Sequence, residues 1–283
     1  MEYAFALDNS DARLFLELDH LHKRLGVEQQ ARMEFFEKHM ELVLMRDDLY
    51  LEYVTILNLL GEYKKAKELL EKRNFHPWEG GEGKVLAQYI LAQTQLARQY
   101  MSACENQTAL ELLLAECGEY PHNLGEGKLA GAQENNIYYF LGCVYKRLGD
   151  MNKAMECYGK AAVGMSEPTG MMYYNDQPAE MIFYQGLALM ELNRNEQAMN
   201  RFNKLIAYGE KHIFDQIKID YFAVSLPDLM IFDDDLNKRN KLHCFFMMGL
   251  GYLGKGDKKN ALEQFNAALV LDKNHTGIKT NID

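Results

Sequence analysis

The chain has 283 residues, 48% of them hydrophobic and 25% charged, and a formal net charge of −10. The composition is that of an ordinary water-exposed protein. Its acidity argues against nucleic acid or an anionic membrane as partner, and no apolar run approaches the ~20 residues needed to span a bilayer.

The N-terminus (Met1-Glu2-Tyr3-Ala4-Phe5) has no basic start or apolar core of a signal peptide. The five cysteines (Cys104, Cys117, Cys143, Cys157, Cys244) are odd in number and lack metal or disulfide spacing. They are expected to be small buried residues in a reducing, cytoplasmic compartment. Neither a metal nor a cofactor is expected. Asp233-Asp234-Asp235 is expected to cap a helix rather than hold a cation, because consecutive acids on a helix diverge and no further ligand has a calcium-loop spacing.

Down the chain one phrase recurs: Gly26/Ala31/Phe35, Gly61/Ala66/Leu70, Cys104/Ala109/Leu113, Gly149/Ala154/Tyr158, Asn193/Ala198/Phe202 and Gly256/Ala261/Phe265. The alanines are 35, 43, 45, 44 and 63 residues apart. Self-similarity at such periods marks a stack of like units. The predicted units are pairs of antiparallel helices near 12–45, 47–80, 90–123, 135–168, 179–212 and 242–275. In each pair the alanine and an earlier glycine (Gly142, Gly186, Gly249) are placed where the helices come closest, and the large residue of the phrase is expected to fill the space between units. The turn glycines, and Asn193 in the same slot, suit a left-handed backbone. Asp150 and Asp257 can cap the helices that follow them. The first unit departs, with Asp19 where a small residue belongs, so its pair is expected to be splayed. Residues 4–9 align with 268–273, the tail of the last unit, from which the chain is expected to be the C-terminal fragment of a longer polypeptide.

Between the pairs lie long inserts, which compact repeats do not require. Arg73-Asn-Phe-His-Pro-Trp-Glu-Gly-Gly-Glu-Gly-Lys84 and Tyr120-Pro-His-Asn-Leu-Gly-Glu-Gly-Lys128 both end in Gly-Glu-Gly-Lys, and are expected side by side on one edge. Neither has the spacing of a phosphate-binding P-loop. A rigid scaffold presenting such loops suits recognition, with His76, Trp78, Glu79, Glu82, Lys84, Asn123 and Lys128 as candidates. Glu79 and Glu82 alone are weak grounds for a glycosidase, which needs opposed carboxylates across a cleft. No nucleophile–base pair is recognisable, and the chain is read as non-catalytic. The last insert, 213–232, is strongly apolar and requires cover.

The skeleton Phe245, Met248-Gly249, Tyr252, Gly256, Ala261, Phe265, Ala268 resembles the tetratricopeptide repeat, and the resemblance extends over nearly the whole chain. It implies an all-α, right-handed α-α superhelix of about six helix pairs with long inserted loops, the first helix of each pair lining a concave groove. At the groove-facing offsets stand Arg13, His20, Lys23 and Arg24, then Thr94 and Arg98, then Asn136, Tyr139, Lys146 and Arg147. Bulky apolar residues follow, Phe183, Leu187 and Met190, then Phe246, Leu250 and Leu253. The apolar insert is therefore expected to fold over the last two pairs, leaving a cationic half open to a protein or peptide partner with acidic groups.

The loop strings, with Tyr174-Asn-Asp176, Ile219-Asp-Tyr-Phe-Ala-Val-Ser-Leu-Pro-Asp228 and Ile231-Phe-Asp-Asp-Asp-Leu236, resemble the C-terminal repeats of bacterial proteins of Bacteroidetes and Firmicutes. Those proteins carry the domain of unknown function 5107, a mutarotase-like β-sandwich, before the repeats. That resemblance implies a carbohydrate-related context. It makes the missing N-terminal domain one candidate partner, and a carbohydrate-binding accessory role, with Trp78 stacking on sugar, the alternative to a protein-interaction scaffold.

Overall fold

In the computed structural model of the protein, residues 1–78, 80–128, 132–170, 178–218 and 235–282 are described. Every regular element among them is helical. The chain divides into two compact bodies: unit 1 is Met1–Leu96 with Glu119–Lys128, and unit 2 is Ala97–Gly118 with Leu129–Asp283.

Unit 1 contains α1 (Glu2–Leu7), α2 (Ala12–Arg24), α3 (Gln29–Lys38), α4 (Met40–Val43), α5 (Asp47–Leu59), α6 (Tyr63–Lys72) and the first part of α7 (Lys84–Ser102). Its inner residues, among them Phe15, Phe36, Val43, Leu49, Val54, Ile56 and Leu70, are wholly buried. Burying an aliphatic or aromatic side chain of this size contributes about 1.5–3 kcal/mol. Unit 2 contains the rest of α7, then α8 (Asn106–Cys117), α9 (Asn135–Arg147), α10 (Met151–Ala161), α11 (Ala179–Glu191), α12 (Asn195–His212), α13 (Leu236–Gly254), α14 (Lys258–Leu271) and α15 (Thr276–Ile282).

The repeated phrase works locally as its chemistry suggests. All six turn positions take the left-handed backbone, including the non-glycine Cys104 (φ 62°) and Asn193 (φ 60°). Asp150 and Asp257 accept from the backbone N–H groups of Lys153 and Asn260, which would otherwise lack partners at those helix starts. Asp235 does the same for Asn237 and Lys238 at the start of α13; Asp233 and Asp234 lie outside the described residues. Cys104 corrects one expectation: a turn residue with its side chain outside the helix pair, it is exposed rather than buried. α7 and α13 each begin ahead of the repeat starts expected near Ile90 and Leu242.

The close-contact glycines define how the pairs of unit 2 shut. A Cβ on Gly142 would stand 2.5 Å from the Tyr158 ring, on Gly186 2.3 Å from Phe202, and on Gly249 2.3 Å from Phe265. Each large residue of the phrase therefore lies on the glycine of its own pair, where it was expected between units. Only Phe202 is shown doing both, since it also stands 2.3 Å from a Cβ at Gly254 on the following helix, α13.

The first pair corrects the register. Ala31 is exposed and Phe35 only half-buried, while Arg32, Met33 and Phe36 are buried. The cause is one additional turn residue. α6, α8, α10, α12 and α14 start two residues after their left-handed turn position, whereas α3 starts three after Gly26. The inward face therefore falls one residue later, and Arg32 occupies the alanine slot. It meets Asp19, with Nε donating to Oδ1 at 2.8 Å and Nη2 to Oδ2 at 2.7 Å, both side chains essentially inaccessible. The expected splaying is replaced by a bidentate ion pair that fills the gap. The second helix also breaks at His39, whose ring packs on Phe5, Phe15 and Phe35 at 5.0–5.8 Å.

Candidate functional site

In unit 1 the two sister loops are knitted together. The Phe75 N–H donates to the Asn123 carbonyl at 2.7 Å, and the Gly83 N–H donates to Glu126 at 2.7 Å. Asn123 Nδ2 reaches the carbonyls of Leu70, Glu71 and Arg73, closing the C-terminal end of α6. Asn123 is thus a fastening of the scaffold. Trp78 is half-buried and lies flat on Gly81, where a Cβ would be 2.2 Å from its ring.

The His76 side chain is 85% exposed, and its backbone N–H donates to Asp47. Asp47 also accepts from Arg73 at 2.6 Å. Burial alone would raise the Asp47 carboxyl, but the His76 N–H and the Arg73 guanidinium hold it below the ordinary carboxylate value. Lys128 stands 5.8 Å over the Tyr120 ring. Glu82 and Lys84 are exposed on the same segment, and Glu79 lies outside the described residues.

The first-helix candidates of unit 1 are Arg13, Lys23 and Arg24. Arg13 pairs along its own helix with Glu17 at 3.1 Å and stays mostly exposed. Lys23 faces Glu52 at 3.5 Å, as does Arg32 at 3.4 Å. Burial would raise Glu52, yet Lys23, His20 and Arg32 bring it below its ordinary value. Arg24 is exposed at the end of α2.

In unit 2 the predicted cations have specific structural partners. Arg147 donates to the Met101 carbonyl at the end of α7, and Lys146 pairs with Glu191 at 2.6 Å. Arg98 lies 5.4 Å over Phe140 and donates to the Thr280 carbonyl of α15. Asn136 and Tyr139 are half-exposed on α9. Tyr139 belongs to an aromatic row with Phe140, Tyr184 and Phe183, with successive ring centroids 5.4–5.6 Å apart. Burial raises the Tyr139 hydroxyl and pushes that of Tyr184 up to about 12, so both remain neutral donors.

The most informative contact in unit 2 was not anticipated from sequence. α15 lies against this row and against α13. Ile278 is fully buried, and a Cβ on Gly277 would stand 2.7 Å from both Glu180 and Phe246. The His275 ring sits 4.5 Å from that of Phe246, and the Tyr184 hydroxyl donates to Asn281 at 3.4 Å. The fold of the apolar insert over the last pairs concerns residues mostly outside those described; at Phe246 it is α15 that makes contact.

No helix among the described residues is long and apolar enough to cross a membrane. Among those residues, no three His, Cys, Asp or Glu side chains are grouped to hold a metal.

The family model described as "Tetratricopeptide repeat" matches residues 136–162, which are α9 and α10. That match falls on the pair closed by Gly142 and Tyr158. Among solved structures it is similar to YrrB, "a TPR protein with an unusual peptide-binding site", at 15% identity over 86% of this chain and 95% of that one, with a TM-score of 0.29. It is also similar to MamA AMB-1, at 17% identity over 79% and 98% with a TM-score of 0.27. A second MamA structure matches at 15% identity over 80% and 91%, with a TM-score of 0.26.

Proposed function

We propose that the chain is a non-catalytic protein-interaction scaffold that binds a protein or peptide partner through the first-helix face of its repeats. The observation that carries this reading is the reception of α15. Side chains from α7, α11 and α13 converge on one short helix: Arg98 on a backbone carbonyl, Tyr184 on a side-chain amide, Glu180 and Phe246 against a glycine. A surface that grips backbone as well as side chain is what peptide recognition requires. The partner is a separate protein or a domain that precedes these repeats in a longer polypeptide, as the resemblance of the loop strings suggests.

The carbohydrate reading rests on sequence alone. One face of Trp78 is taken by Gly81, and Asn123 is engaged with the end of α6.

A photo-crosslinking residue at Asn136, introduced into the full chain in its source cells, tests the scaffold. The expected result is a discrete protein adduct that a crosslinker at the exposed Lys259 does not give. Equal labelling from both positions would count against the reading. Trp78 is the only tryptophan, so a saturable fluorescence response to an oligosaccharide would move the assignment to the carbohydrate alternative.

A further inference from the structure

α15 is seven residues long, Thr-Gly-Ile-Lys-Thr-Asn-Ile. A helix this short does not hold itself together in water, where isolated helices below ~12–15 residues are marginal. Its helicity therefore depends on the surface beneath it, and docking and folding of the segment are one event.

The contacts are those of a ligand in a site. One aliphatic anchor, Ile278, is fully buried. A glycine lets the backbone settle against Glu180 and Phe246. The C-terminal end of the helix, where the carbonyls carry partial negative charge, is met by the Arg98 guanidinium at Thr280. At the other end His275 Nδ1 accepts from the Ile278 N–H at 3.2 Å, and burial depresses this imidazole, so it stays neutral and able to accept.

The seat also leaves a polar cost. Burial raises the Glu180 carboxyl, whose Oε1 a Cβ on Gly277 would meet at 2.7 Å. The tether is short: α14 ends at Leu271 and α15 begins at Thr276. Docking is therefore favoured by a high effective concentration more than by intrinsic affinity.

We propose that α15 is an exchangeable occupant of the first-helix face of unit 2. It covers the face in the resting chain. A partner binds by displacing it with a short helix of the same kind, carrying an aliphatic side chain in the place of Ile278 and presenting its C-terminal end to Arg98. This rests on the interaction-scaffold reading and specifies its partner as a helical peptide.

The test uses a fluorescent synthetic peptide of residues 272–283, titrated against the full chain and against full-length Ile278→Glu, whose own tail cannot reseat. The peptide is expected to bind the variant and to bind the unaltered chain about tenfold more weakly or worse, the loss set by the small fraction of chains with the face open. A peptide carrying Ile278→Glu should bind neither. Equal affinities, or no binding to a variant that melts cooperatively, would overturn the proposal. So would a doubling of mass showing that α15 is exchanged between two copies.

If Ile278→Glu does not fold, hydrogen exchange on the unaltered chain decides. The amides of 278–282 should exchange through local opening far faster than those of α14, and equal protection would make α15 a fixed part of the fold. Success here with no adduct from Asn136 would sink the scaffold reading and the partner, leaving only a tail that opens; an adduct with a tail that does not exchange would sink the exchange alone.

Discussion

The first helix pair of unit 1 and the pairs α9/α10, α11/α12 and α13/α14 of unit 2 solve one packing problem with different chemistry. In unit 2 the first helix offers a glycine, and a ring from the second lies on it. In unit 1 the first helix offers Asp19, and the second, shifted by one turn residue, answers with Arg32. The glycine solution depends on shape and has no alternative partner. The ionic solution depends on two charges taken out of water together, and fails badly if either is lost. Repeats that share one turn phrase are therefore unequal in what breaks them.

The largest expected effect is at the ionic pair. Asp19→Ala takes the bidentate partner from a buried guanidinium and leaves it only Glu52 at 3.4 Å, which should cost about 3 kcal/mol in a denaturant melt of the full chain. At the glycine pairs, Gly249→Ala forces the Phe265 ring aside and should cost about 1–3 kcal/mol. Adding Phe265→Leu should return part of that loss, because the two residues are in contact and their effects do not add.

Acid should also separate α5 from α11, apart from the ionic closure itself, whose Asp19 carboxyl burial raises. Asp47 and Glu52 are held below their ordinary values. The stability they give unit 1 is complete above the unfolded carboxylate values of about 3.9–4.3 and is lost as pH falls through the lower folded values. Glu180 in unit 2 is raised, so its contribution has the opposite sign: it is greatest in acid and fades as pH rises through the folded value. Hydrogen exchange followed between neutral and acid pH should show protection falling around α5 and not around α11. A parallel loss in both would contradict the assignment.

The smallest effect concerns the left-handed turns. Cys104→Gly should stabilise by about 1 kcal/mol, since a side chain in that conformation is strained and this one is exposed.

These differences also mark how far the sequence could be read. Turn positions and close-contact glycines were legible because each is tied to one steric demand, and the phrase around Ala154 or Ala261 meets it without exception. Asp19 was legible as an anomaly, and its partner was not: the extra residue between Gly26 and Gln29 is visible only when the turns are counted against one another. The similarity of the loops ending at Lys84 and Lys128 pointed to their adjacency, though not to Asn123 fastening the end of α6. Of the predicted cations, Arg98 and Arg147 were read from sequence as groove residues open to a partner, and sequence could not show that backbone carbonyls of the same chain engage them. α15 was not legible at all. Thr-Gly-Ile-Lys-Thr-Asn-Ile has little helical propensity of its own, and its conformation is dictated by the surface that receives it.

The most direct test of the contrast between the two closures is the double variant Asp19→Leu/Arg32→Met, melted beside Asp19→Leu alone. If a buried guanidinium deprived of its bidentate partner is what makes the single change costly, filling the same space with apolar side chains should bring the double variant within about 1 kcal/mol of the unaltered chain, Glu52 keeping Lys23. A double variant as unstable as the single, or more so, would contradict the account.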